Sequence, residues 1–191
     1  MVQKLVVLLA LTLFVVTSCD KGLAPPEAPS KTVSFPIVPE GGNPVGVWEP
    51  DTTNPVDVTI IDKDKIPSFI DSLIIESNLN GVFSFSIAGV CSLQAVLTIN
   101  PIVYLPNVEN PLVLTITDTL RGDGPYEVTD NRVLDLPVET SIFQLDTLGF
   151  TSRADSLTLI SLPNTFPQEG FSDIRFFFVF HLIRSTEGEL P

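Results

Sequence analysis

Residues 172–183 read Ser-Asp-Ile-Arg-Phe-Phe-Phe-Val-Phe-His-Leu-Ile, and their period is two. Ile174, Phe176, Phe178, Phe180 and Leu182 fall on one face of an extended chain, with Phe177, Val179, His181 and Ile183 on the other. Side chains alternate across a strand, so a segment apolar on both faces belongs in the interior of a sheet. Shorter alternating runs precede it at residues 56–61, 82–87, 95–105, 112–120, 138–148 and 156–162. Turn residues bound them, among 17 prolines and 11 glycines. About seven strands at this spacing predict an all-β fold, an antiparallel β-sandwich of the immunoglobulin-like or a similar kind. One stretch departs from the pattern. Ile66, Phe69, Ile70, Leu73 and Ile74 have helical spacing after Asp64, with Pro67 in a first turn, which predicts one short helix over 65–76. The competing reading is a strand over 72–79.

No charged residue lies between Ser77 and Val108. A membrane span over 82–104 is long enough, but Ser84, Ser86, Ser92, Gln94, Thr98 and Asn100 break up any apolar cylinder. Two buried strands joined near residues 89–92 are expected instead. Arg121-Gly122-Asp123-Gly124 reads as a tight turn after a strand ending at Leu120.

The chain carries 10 Lys and Arg against 23 Asp and Glu, a net charge of −13, which excludes the clustered cationic field that nucleic acid requires. With 44% hydrophobic and 17% charged residues it has enough apolar surface for a core.

The N-terminus is a separate element. Met1-Val2-Gln3-Lys4 is short and cationic, and residues 5–16 are apolar apart from Thr12. Twelve apolar residues are too few to span a bilayer and read as the core of a secretory signal. Val16-Thr17-Ser18-Cys19 then resembles the lipobox of bacterial lipoproteins, in which the cysteine is acylated and becomes the first residue. The resemblance implies a signal peptide over 1–18, palmitate-type chains on Cys19, and membrane attachment through them. Residues 19–34, rich in proline, become a tether, and 35–191 form a single β domain. The alternative is a signal peptide cut near Ser18 with Cys19 incidental.

Asp20 directly after the cysteine resembles the inner-membrane retention signal of enteric bacteria. A second pattern points to another lineage. Asp-Ser/Thr followed by an aliphatic residue or Thr occurs at Asp51-Thr52-Thr53, Asp71-Ser72-Leu73, Asp118-Thr119-Leu120, Asp146-Thr147-Leu148 and Asp155-Ser156-Leu157. Chance at this composition gives about one match. The tripeptide resembles the O-glycosylation acceptor of exported Bacteroidota proteins, which would make Thr52, Ser72, Thr119, Thr147 and Ser156 acceptors and the outer membrane the destination. Turn-to-strand junctions favour the same residues and are the alternative.

Chemistry-bearing residues are few. His181 is the chain's one histidine and lies in its most apolar strand, where a packed residue with one hydrogen bond is the ordinary outcome. Without Gly-x-Ser-x-Gly, His-Glu-x-x-His or a phosphate loop, no catalytic site and no enzyme activity is expected. Asp62-Lys63-Asp64 lacks the spacing of a calcium loop and carries a lysine, so no cofactor or metal is expected. Cys91 sits in an uncharged stretch and reads as a buried small hydrophobe. Trp48 is the candidate ligand-binding aromatic, since a flat ring stacks on sugars. The expectation is a lipid-anchored envelope module that binds or scaffolds a protein or glycan. The alternatives are a small envelope hydrolase using His181 and a carbohydrate-binding domain using Trp48.

Overall fold

The strand expected over 174–183 is β13 (Arg175–Arg184), and it is hydrogen-bonded along both edges. The structure, a computed structural model, describes residues 33–186. Among the described residues twelve further strands precede β13. They are β1 (Gly46–Pro50), β2 (Val56–Ile60), β3 (Ser72–Phe85), β4 (Val90–Tyr104), β5 (Leu112–Val113) and β6 (Ile116–Pro125), then β7 (Glu127–Thr129), β8 (Val133–Asp135), β9 (Val138–Glu139), β10 (Thr147–Ser152), β11 (Ser156–Ser161) and β12 (Asn164–Thr165). The named pairings are antiparallel, and the order across the sheet is β7-β8-β10-β11-β13-β1-β3-β4-β6-β9.

The all-β antiparallel expectation holds. The pairing does not divide into two sheets, however, because β1 joins β13 on one side to β3 on the other and makes the ladder continuous. The sheet curls into a half-barrel. The chain passes twice between its two ends, from β6 to β7 and back from β8 to β9. Only Tyr126 separates β6 from β7, and only Leu136-Pro137 separates β8 from β9. The curl lets one face of the sheet cover itself. Phe83, Phe85, Leu97 and Ile99 from one half share a buried cluster with Leu148, Phe150, Leu157, Phe176, Phe178 and Phe180 from the other.

Both faces of β13 are used as its sequence requires. Phe176, Phe178, Phe180 and Leu182 enter this interior, while Phe177 and Val179 join Ile160 under Phe35 on the opposite face. Phe35 belongs to the entering segment, which runs up to a parallel bridge between Gly41 and Thr151. That segment gives β13 its second cover.

Three expectations are corrected. The helix over 65–76 is absent, and a 3-10 turn at Lys63–Lys65 is followed by β3 from Ser72. Pairing with β4 over fourteen successive residues, Ser72↔Tyr104 to Phe85↔Cys91, outweighs what five apolar side chains at helical spacing offer. Leu120 does not end its strand, because β4 pairs with β6 as far as Val90↔Pro125. Gly122 there leaves room for the Pro137 carbonyl, which a Cβ would meet at 2.7 Å. The run over 138–148 is two short strands, β9 and β10, separated by a loop. Residues 82–104 are the β3–β4 hairpin, and among the described residues no helix is long and apolar enough to cross a membrane.

Gly81 has φ of 148° and lies opposite Ala95 in that hairpin. A Cβ at this position would overlap the Gln94 carbonyl oxygen and the Ala95 Cα. Gly81→Ala is therefore expected to cost about 3 kcal/mol, read as a lower midpoint in urea unfolding with an unchanged slope.

Candidate functional site

The ladder between β1 and β3 is three residues long, Gly46↔Phe85 to Trp48↔Phe83, and then stops. Two residues account for this. Asp51 N–H donates to the His181 carbonyl, so odd positions of β1 face β13 and Pro50 turns toward β3, where it has no N–H to offer. On the facing strand Gly81 allows close approach to β4, away from β1. The result is a seam in an otherwise continuous sheet.

The seam is a cleft of about 580 Å³, within the range of ordinary ligand pockets. One wall is the link of residues 51–55 with Glu49 and Pro50, and the other is β3 over residues 77–82. The link is built rigidly. Asp51 N–H bonds His181 O at 2.8 Å, and His181 N–H bonds Pro55 O at 3.0 Å, so one residue of β13 holds both ends. Asp51 Oδ1 accepts Thr53 N–H at 2.7 Å, which together with the Asn54 N–H keeps its carboxyl below the usual carboxylate range against the opposing effect of burial. Glu49 accepts the Ser185 hydroxyl at 2.6 Å. Ser77 donates its hydroxyl to the Val56 carbonyl at 2.7 Å and closes the narrow end. Among the lining residues are the carboxylates of Glu49 and Asp51, the amides of Asn78 and Asn80, and the aliphatic Leu79 and Val82, with no lysine or arginine.

His181 stands behind the link. Its Nε2 is 2.9 Å from Asp57 Oδ2, and the side chain is about a third exposed. Asn54 Nδ2 donates to Asp57 Oδ1, and with the bond from His181 it holds that carboxyl below its ordinary value, against partial burial.

Trp48 is placed differently from its expected role. It is completely buried, its Nε1 donates to Pro44 O at 2.8 Å, and the Arg184 guanidinium lies 4.5 Å from the ring centroid. A ring with no exposed face has no surface on which a sugar can stack, so Trp48 plugs the core. Acrylamide is accordingly expected to quench its fluorescence weakly until the domain unfolds.

The candidate acceptors are dispersed. Thr52 is exposed on the link at the cleft, Ser72 is exposed at the start of β3, and Thr119 is exposed on the outer face of β6. Thr147 and Ser156 are half-buried first residues of β10 and β11, and Thr147 donates its hydroxyl to Asp135 at 3.0 Å. Three of the five thus begin strands, as the turn-to-strand alternative has it. Asp62 is engaged by Arg175 through two bonds, at 2.5 and 2.9 Å, and Cys91 is buried with its thiol pKa raised by burial. Cys19 and the lipobox lie outside the described residues.

Sequence reasoning missed the seam, Asp57, and a buried carboxylate at Asp118. The last was within reach, because Asp118 shares strand parity with the apolar Ile116 and Leu120. It is 1% exposed and accepts the N–H groups of Thr119, Ser141, Ile142 and Phe143 and the Ser141 hydroxyl, at 2.7 to 3.0 Å. The carboxylate thereby fastens the loop after β9 over the edge of β6. No family model, no curated protein and no solved structure matches this chain.

Proposed function

We propose that this chain is a lipid-anchored cell-envelope protein, held at the outer membrane through acyl chains on Cys19, whose domain acts by binding rather than catalysis. The anchor rests on the apolar run of residues 5–16 followed by Val16-Thr17-Ser18-Cys19. The observation that carries the binding role is the seam between the link at 51–55 and β3, a cleft lined by carboxylate, amide and aliphatic side chains. In this reading the curled sheet serves as a β-sandwich of the immunoglobulin-like kind, its halves facing each other across the phenylalanine-rich interior.

Intact mass of the protein from membranes of its own host tests the anchor. A mass equal to residues 19–191 plus acyl chains is expected, and sugar-sized increments would mark the Asp-Ser/Thr sites as modified. An unacylated chain cut near Ser18 would overturn the anchor and the tether together.

The contact between His181 and Asp57 favours a second reading, a small envelope hydrolase. His181→Ala separates the two. As a binding module the variant keeps its phenotype and its unfolding midpoint within about 1 kcal/mol, since a partly exposed pair of this kind contributes little. Loss of function in a folded variant would favour the hydrolase.

A further inference from the structure

We infer that the seam receives an extended polypeptide strand, which adds to the free edge of β3 along residues 78–82, between the Trp48–Phe83 pair and the bond from Ser77 to the Val56 carbonyl. The inference rests on the binding role proposed above and names its ligand class. Phe83 and Phe85 exchange their ladder bonds with Trp48 and Gly46, so the alternation of the strand turns the N–H and C=O of Leu79 and Gly81 to the same side, and the open edge ends at Ser77, whose hydroxyl meets the Val56 carbonyl. Among the described residues no strand pairs with that side of β3 before Phe83. The opposite side is fully paired with β4.

The protein's own wall cannot fill this edge. Pro50 and Pro55 bracket it without N–H groups, and the carbonyl of Pro55 is already spent on His181. Edges that are meant to stay free usually carry lysine, proline or a bulge, whereas residues 72–82 carry one charge, Glu76, and no proline. Unpaired ladder groups facing a cleft are matched by a peptide backbone, in the manner of strand addition at other open sheets. Five residues of β3, 78–82, offer about 17 Å of edge.

The side chains beside the edge set the ligand's character. Alternate residues of an added strand would lie beside Asn78, Asn80 and Val82 on the outer face and beside Leu79 and Gly81 on the inner one. Glu49 and Asp51 add negative charge with no cation among the lining residues. The fitting segment is cationic on its outer face and small and aliphatic on its inner face.

The test uses the full mature chain in detergent and a ten-residue peptide of alternating Lys and Val. Saturating peptide is expected to slow exchange of the Leu79 and Gly81 amides at least tenfold while leaving Phe83 and Phe85, already paired, unchanged. N-methylation of the peptide's valines should weaken binding about tenfold or more, one hydrogen bond's worth for each factor of ten. Val82→Lys, an exposed outer-face change, should weaken it comparably through like charge without moving the unfolding midpoint. Equal binding by the N-methylated peptide, or unaltered exchange at these two amides, would overturn strand addition. Protection of the cleft by a neutral dextran fragment while the peptide is inert would overturn it too but leave the binding role standing. If neither probe perturbs any residue of the seam, both proposals fall.

Discussion

Phe178→Ala is expected to lose about 4 kcal/mol and to leave the domain largely unfolded at moderate temperature. Phe178 is fully buried at the centre of β13. Its ring lies 5.1 Å from Phe143, 5.3 Å from Phe176 and 5.6 Å from Phe180. β13 also carries four neighbouring strands, β1, β2, β11 and β12, so a void under it cannot be filled by moving one loop. Phe143, from the loop after β9, is held by the bond from its N–H to Asp118 and does not collapse into the void either. Phe178→Leu should cost well under half as much, because most of the volume stays. Urea unfolding followed by Trp48 fluorescence measures both, and a loss under 1 kcal/mol for the alanine variant would mean that the rings do not pack as described.

Asp118→Ala should be nearly as damaging, on the order of 4 kcal/mol, although it removes only a small side chain. Three consecutive backbone N–H groups, at Ser141, Ile142 and Phe143, would lose their acceptor, and Phe143 is itself buried. Burial alone opposes ionisation of Asp118, but the bonds from Phe143, Ser141 and Ile142 outweigh it and hold the carboxyl below its ordinary value. The sign of the pH dependence follows. A carboxyl with a lower pKa folded than unfolded contributes fully above the unfolded value of about 3.9, and the contribution disappears as pH falls through the folded value. The wild type should therefore lose stability below about pH 4, and Asp118→Asn, which does not titrate, should show a shallower acid limb from a lower starting point. Identical acid limbs would remove Asp118 from the account.

Much of the interior was legible in the sequence because strand parity is a local property. Residues 174–183 have the alternation of a strand covered on both faces, and the structure surrounds it on both edges and both faces. Cys91 was readable as buried from the uncharged composition of its stretch. The helical spacing at 66–74 misled because it counts apolar side chains and is blind to a partner strand, and β4 supplied one. Trp48 misled in a related way: its prolines were visible, but the Pro44 carbonyl and the Arg184 guanidinium that enclose it come from chain folding.

The sequence by itself determined the class of the fold and the inward residues of its strands, since each follows from period or parity. Only the tertiary structure decided that the strands join as one curled sheet, that Asp118 meets the N–H groups of residues 141–143, and that the sheet opens at a seam. Those outcomes depend on which strands meet. Pro50 and Gly81 are thirty-one residues apart in the chain, and neither opens anything until β1 and β3 lie side by side. A proline removes one donor and a glycine one side chain wherever they stand, but what that absence does is set by the neighbour across the gap.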